Sequence, residues 1–109
     1  MPTNYKVLGQ SNPAATTATT LYTTPSATQT IVSTITVCNQ AATAGTYRIA
    51  VRIAGAALAA AQYVAYDVSL PGNATDTLTL GVTLGATDVI TVYASSANFS
   101  FNAYGSELS

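Results

Sequence analysis

The sequence predicts an all-β protein, built as a single antiparallel β-sandwich of about seven to eight strands. Apolar and polar residues alternate with a period of two over most of the chain, which is typical of half-buried strands. Turns rich in Gly, Asn, Pro and Asp separate these segments at intervals of about ten to fifteen residues. Immunoglobulin-like and jelly-roll topologies fit equally well. A true antibody-type domain is disfavoured because the chain has one Cys and no Trp.

The beginning of the chain contains two short predicted strands, NYKVLGQ and TTLYTT. They are joined by SNPAATTA, whose Pro, Ala and Thr residues favour a loop or an arm. Residues 1–24 therefore form either an extended N-terminal arm or edge strands. We expect the whole chain, 1–109, to be one domain, because this length buries about two thirds of the unfolded surface in a single core.

Two longer strands follow. QTIVSTITVC has an apolar face formed by Ile31, Ile35 and Val37. GTYRIAVRIAG has an apolar face formed by Tyr47, Ile49, Val51 and Ile53. Arg48 and Arg52 lie on the opposite face of that strand, where a half-buried antiparallel strand carries polar side chains.

The second half of the chain begins with GAALAAAQ, which has good helix formers but only about two turns and no capping residue. It predicts a loop, with at most a short helical turn, that runs into the next strand. QYVAYDVSL has an apolar face formed by Val64, Tyr66, Val68 and Leu70. TDTLTLGVTL is a further strand, in which Gly81 indicates a bulge, a bend or a close neighbour. VITVYA and NFSFNAY complete the sandwich.

The charge of the chain argues against several partners. The net charge is −1 and only 6% of the residues are charged, so no basic field exists to neutralise nucleic-acid phosphates. No apolar run approaches the roughly 20 residues that span a bilayer, and we expect neither a membrane segment nor a secretion signal. A surface with so little charge favours association, so we expect a homo-oligomer or a larger assembly.

No enzyme, metal site or cofactor site is predicted. The chain has no His, and its single Cys38 is expected to be a half-buried residue near the end of a strand. The acidic residues, which are Asp67, Asp76, Asp88 and Glu107, suit turns and solubility. No glycine motif for binding phosphate is present.

Tyrosines and arginines are the candidates for docking a partner. The seven Tyr side chains are amphipathic and suit interfaces. Arg48 and Arg52 are about 13 Å apart along a strand, too far to bind one carboxylate, so each pairs with a carboxylate on an adjacent strand or on a neighbouring subunit. The candidate docking residues are Arg48, Arg52, Tyr63, Tyr93, Tyr5 and Tyr22.

The phrases YKVLGQ, ITVCN and NAYGSE, and the order of the segments around them, extend over nearly the whole chain. In this pattern the chain resembles small structural proteins of tailed bacteriophages, particularly those that infect cyanobacteria. The resemblance implies a non-enzymatic virion component, made in the host cytoplasm, that binds the major capsid protein or other virion proteins. Capsid decoration (cement) proteins on the head surface, commonly trimeric, are the favoured role. A tail, baseplate or fibre-adaptor role is the alternative, and a carbohydrate-binding module that stacks sugars on Tyr is a second one.

Overall fold

The computed structural model describes residues 3–109 and contains nine β-strands and two 3-10 turns. The strands are β1 (Thr3–Ser11), β2 (Thr19–Thr23), β3 (Gln29–Asn39), β4 (Gly45–Arg52), β5 (Tyr63–Leu70), β6 (Thr75–Leu78), β7 (Val82–Leu84), β8 (Val89–Ala94) and β9 (Phe99–Leu108). The 3-10 turns are Ile53–Gly55 and Ala60–Gln62. They lie in the segment GAALAAAQ and just before it, so the predicted loop with short helical turns is confirmed.

The strands form two antiparallel sheets, which confirms the all-β sandwich. The five-stranded sheet has the order β1-β9-β3-β6, with β7 also paired to β3, and the four-stranded sheet has the order β2-β8-β4-β5. Because β6 and β7 share one side of β3, the nine strands occupy eight positions. The pairing is nested: β1 pairs with β9, β2 with β8, β3 with β6 and β7, and β4 with β5. This long hairpin, rolled across two sheets, is a jelly roll.

The core lies between the two sheets and is formed mainly by the central strands β3, β4, β8 and β9. Tyr47 contributes its ring from the four-stranded sheet and meets Phe99 and Phe101 of the other sheet, with ring centroids 6.4 and 6.2 Å away. Its hydroxyl crosses the sandwich and donates to Asp76 Oδ2 at 2.8 Å. Burial and this carboxylate together raise the pKa of Tyr47. The ring therefore stabilises the core while its polar end is satisfied.

A bulge in β3 reverses part of the predicted face. The register against β9 shifts between Val32 and Thr34, so Ser33 is an additional residue. Thr30 and Val32 point inward before the bulge, and Ile35 and Val37 point inward after it. The prediction that Ile31 shares the buried face is therefore wrong, and Ile31 is exposed on the outer face of the sheet.

The predicted apolar face of β5 is also wrong in its first half. Val64 and Tyr66 are exposed, whereas Val68 and Leu70 point toward the core, because the register against β4 shifts twice along this strand. At the end of β4, Ile53 is 74% exposed, since the chain has already left the sheet in a 3-10 turn. The alternation of apolar and polar residues predicts the buried face correctly only as far as the next register shift. Beyond the shift, the side chains that it assigns to the core lie on the outer face.

The segment TDTLTLGVTL forms two strands rather than one. Gly81, between β6 and β7, has a φ of +62°, and a Cβ there would meet no atom within 4 Å. It is therefore a bend and not a close contact, and Leu80 beside it is exposed. Within residues 3–109, no helix has the length and apolar character needed to cross a membrane.

Candidate functional site

Arg48 lies at the centre of the outer face of the four-stranded sheet, between two aromatic rings. The register of β4 against β5 leaves both Tyr66 and Asp67 opposite Arg48, in a bulge where Asp67 has a φ of +50°. On the other side, Arg48 pairs in register with Tyr93 of β8. The guanidinium carbon is 4.2 Å from the ring centroid of Tyr66 and 4.3 Å from that of Tyr93. The bulge thus brings three partners to one cation.

Asp67 holds this guanidinium in a two-point contact. Arg48 Nε donates to Asp67 Oδ1 at 2.6 Å, and Nη2 donates to Oδ2 at 3.3 Å. The carboxylate raises the pKa of Arg48, and it neutralises the charge of this part of the face. A guanidinium fixed by a carboxylate and two rings has little rotational freedom left to lose on binding a partner.

An aromatic hollow of about 610 Å³ adjoins Arg48. Tyr63 and Tyr66 pack edge to face, with centroids 4.9 Å apart and an interplanar angle of 85°. Leu58, Ala59 and Ala60 complete the lining. Gln62 fixes this loop: its side chain accepts from the Ala59 N–H at 2.8 Å and donates to the Ala57 carbonyl at 2.9 Å. We define the Arg48 surface as Arg48, Leu58, Tyr63, Tyr66 and Tyr93.

Arg52 has a different task, because it fixes the loop 53–62 against the sheet. It donates to the carbonyls of Ala56 at 2.7 Å and Gly55 at 2.9 Å, and to Thr91 Oγ1 at 3.3 Å. Asp88 Oδ1 accepts from the Ala54 N–H at 2.8 Å in the same loop. The two arginines are therefore not equivalent: the first pairs with a carboxylate on an adjacent strand, and the second with backbone carbonyls.

Tyr22 lies inside the sandwich, not on the surface expected for a docking residue. The register of β2 shifts between Thr20 and Tyr22, so Leu21 and Tyr22 are both buried. The Tyr22 hydroxyl contacts Thr30 Oγ1 at 2.8 Å and donates to Glu107. Burial and the carboxylate raise the pKa of Tyr22 to about 12. This side chain connects the two sheets.

Tyr5 lies on the outer face of the other sheet, with 84% of its surface exposed. It belongs to an exposed apolar group that we define as the Tyr5 patch: Tyr5, Val7, Ile31 and Tyr104. The patch borders a shallow depression of about 510 Å³ that also contains Ser33 and Ser106. Sequence reasoning missed Ile31 and Tyr66 because one apolar face was assumed along the whole of each strand. It assigned no face to Val7, and it expected Asp67 on the outer face but as a residue for turns and solubility, not as the partner of Arg48.

The acidic side chains are held by structural contacts. Asp76 accepts from Tyr47, Asp67 pairs with Arg48, and Asp88 accepts from the N–H groups of Ala54 and Gly85. Across residues 3–109, no three His, Cys, Asp or Glu side chains form a group that could hold a metal ion. Cys38 is half-buried, one residue before the end of β3, as predicted.

Comparison of the chain with protein-family models, with curated proteins and with solved structures finds no match in any of the three.

Proposed function

We propose that this chain is a non-enzymatic structural protein of a tailed-phage virion, a capsid decoration protein that binds the outer capsid surface and stabilises the head. The Arg48 surface is the observation that carries this proposal. It presents Tyr and Arg side chains, the residue types in which the binding energy of protein interfaces is concentrated. They are held in place by the Asp67 pair and by ring packing.

The electrostatics of this surface fit a neutral protein partner. Arg48 is neutralised by Asp67, and the nearest other cation, Arg52, is occupied by loop carbonyls. Binding here relies on aromatic contact area and shape, not on attraction between net charges. That suits a protein that covers a repeating lattice and must stay attached over a range of ionic strengths.

Copy number is the first measurement to make. Quantitative mass spectrometry of purified virions would compare this protein with the major capsid protein. A ratio near one, or near a simple fraction such as about one third, supports a decoration role across the lattice. A much lower ratio contradicts it and favours the alternative of a tail, baseplate or fibre-adaptor protein.

Variants locate the docking face. Tyr66→Ala removes a ring that is 57% exposed and lies outside the core, so the fold should survive while occupancy on particles falls. Leu80→Ala is the control, because Leu80 is exposed between β6 and β7, on the other sheet. Equal occupancy of the two variants would exclude the Arg48 surface as the docking site.

A carbohydrate-binding module is a second candidate function, and the aromatic hollow favours it. Tyr66 offers a ring for stacking, and the adjacent Asp67 and Arg48 offer an acceptor and a donor to sugar hydroxyls. Binding on a glycan array that is lost in Tyr66→Ala would support this function. An array without any bound glycan would argue against it.

A further inference from the structure

β1 forms one edge of the five-stranded sheet, and its first half is the longest uninterrupted edge among the described strands. Thr3 to Val7 pair with Leu108 to Tyr104 without a register shift; the ladder breaks only at Leu8. Their second edge faces no other strand of the sheet. An edge of this kind presents unpaired backbone donors and acceptors that can take up another strand.

The other three edges are each interrupted. β2 is five residues long and shifts register between Thr20 and Tyr22. β5 shifts register twice and contains Asp67 at positive φ, while β6 and β7 are separated by Gly81, also at positive φ. Bulges and short strands are how proteins prevent pairing at an edge. The first half of β1 lacks them.

The single charge on β1 does not protect its edge. A lysine on an edge strand usually keeps another strand away. Here the Lys6 ammonium lies 3.0 Å from Glu107 Oε1, so its charge is neutralised within the chain. On the opposite face of the strand, Tyr5 and Val7 are exposed and apolar. A charged partner would find no opposite charge in this segment.

We propose that β1 pairs with β1 of a second copy of this chain, antiparallel and about a two-fold axis, so that the five-stranded sheet continues from one copy into the other. A second copy supplies an extended strand of the same length and the same neutral character. Antiparallel pairing about a two-fold axis places Tyr5 and Val7 of both copies on one face, where they become cross-strand neighbours. This dimer goes beyond the proposed function and would replace the trimer that the family resemblance implies.

Sedimentation equilibrium of the purified chain tests the proposal, with a matched pair of variants. Val7→Lys adds a charge to the β1 edge, and Val64→Lys adds the same charge to the β5 edge; the two valines are 49% and 48% exposed. The wild type and Val64→Lys should form the same dimer. Val7→Lys should raise the dimer dissociation constant at least about tenfold.

Tyr5→Glu is a second variant that does not threaten the fold, since most of the Tyr5 side chain is in solvent, and it should also weaken the dimer. Amide hydrogen exchange of Thr3 to Val7 should slow as the concentration of the wild type rises. A wild type that stays monomeric at about 100 μM, a trimer, or equal dissociation by Val64→Lys would overturn the proposal. A monomer that still occupies particles would overturn only this inference; a β1 dimer absent from particles would overturn only the proposed function.

Discussion

The Tyr22 hydroxyl donates a 2.5 Å hydrogen bond to Glu107 Oε2, and this contact joins the two sheets at one end of the sandwich. The other carboxylate oxygen, Oε1, pairs with Lys6, so one side chain of β9 connects β1 and β2. The Tyr22 hydrogen bond, followed by the one from Lys6, lowers the pKa of Glu107, although burial opposes the shift.

Tyr22→Phe should destabilise the protein at pH 7 by about 1–3 kcal/mol, because it leaves a buried carboxylate oxygen without its donor. The contribution has a defined pH dependence. A carboxyl whose folded pKa is lowered adds stability above its unfolded pKa, about 4.3, and loses it as the pH falls toward the folded pKa. The free energies of unfolding of the wild type and Tyr22→Phe, measured in urea, should therefore become more similar as the pH falls. Tyr104→Phe, at an exposed Tyr, is the control. A difference in unfolding free energy that stays the same from pH 7 to acid pH would contradict the prediction.

Asn39→Ala should also be costly, because Asn39 holds two loops together from a fully buried position. Its side-chain amide donates to the carbonyls of Thr43, Leu70 and Pro71, and its Oδ1 accepts from the Ala41 N–H at 3.0 Å. We expect a loss of about 2–3 kcal/mol in the free energy of unfolding. Asn39→Asp should cost more at pH 7, because a carboxylate would face three carbonyl oxygens. Thermal or urea unfolding measures both, with exposed Asn98→Ala as the control.

Three glycines should respond differently to alanine. At Gly105 a Cβ would lie 1.9 Å from the Ile31 carbonyl oxygen, a backbone atom that cannot turn away, so Gly105→Ala should unfold the protein or severely destabilise it. At Gly81 the space is open but φ is +62°, so the cost should be about 1 kcal/mol. Gly85→Ala should be nearly neutral, since a Cβ there makes only an ordinary contact, at 3.6 Å from Asp88. A ranking other than Gly105, Gly81, Gly85 would contradict this account.

The contact between Arg48 and Asp67 should contribute a coupling free energy to the stability of the protein, and salt should reduce it. In a double-mutant cycle of Arg48→Met and Asp67→Asn, the double variant should lose less stability than the sum of the single variants. Asn tolerates the positive φ of Asp67, so the backbone of the bulge is preserved. Because the pair is on the surface, the coupling should shrink in about 1 M NaCl. Coupling that is absent at low salt would show that the ring contacts alone hold Arg48.

The sequence predicted where strands occur but not which face each one buries. Alternation is a local property, so every strand segment was located, including β1 and β2 on either side of SNPAATTA, although β6 and β7 were expected to be one strand. A bulge depends on the neighbouring strands and leaves little trace in one segment. Ser33 reverses the parity of β3, which is why Ile31 was expected inside and lies outside. Two residues of the candidate site were misplaced for the same reason: Tyr66 was expected in the core but is exposed, and Tyr22 was expected on the surface but is buried.

The pairing of residues could not be predicted for a related reason. β8, the segment VITVYA, lies between β2 and β4 in its sheet, but nothing in its sequence specifies these neighbours, because paired strands of a jelly roll are distant in sequence. The contact between Arg48 and Asp67 is an example. A carboxylate on an adjacent strand was one of the two expected partners of Arg48. To identify it as Asp67, one must know that β5 pairs with β4 and that β5 bulges opposite Arg48.

The nested pairing has a consequence for biosynthesis. Among the described strands, only β4 and β5 are both consecutive in the chain and paired in one sheet, whereas β1 must find β9 across residues 12–98. Each further pair outward closes a longer loop, and chains dominated by such distant contacts fold in about milliseconds to seconds. On the ribosome, β1 emerges long before its partner exists. Because β9 follows all the other described strands in the chain, the β1–β9 pair can form only after each of them has been made.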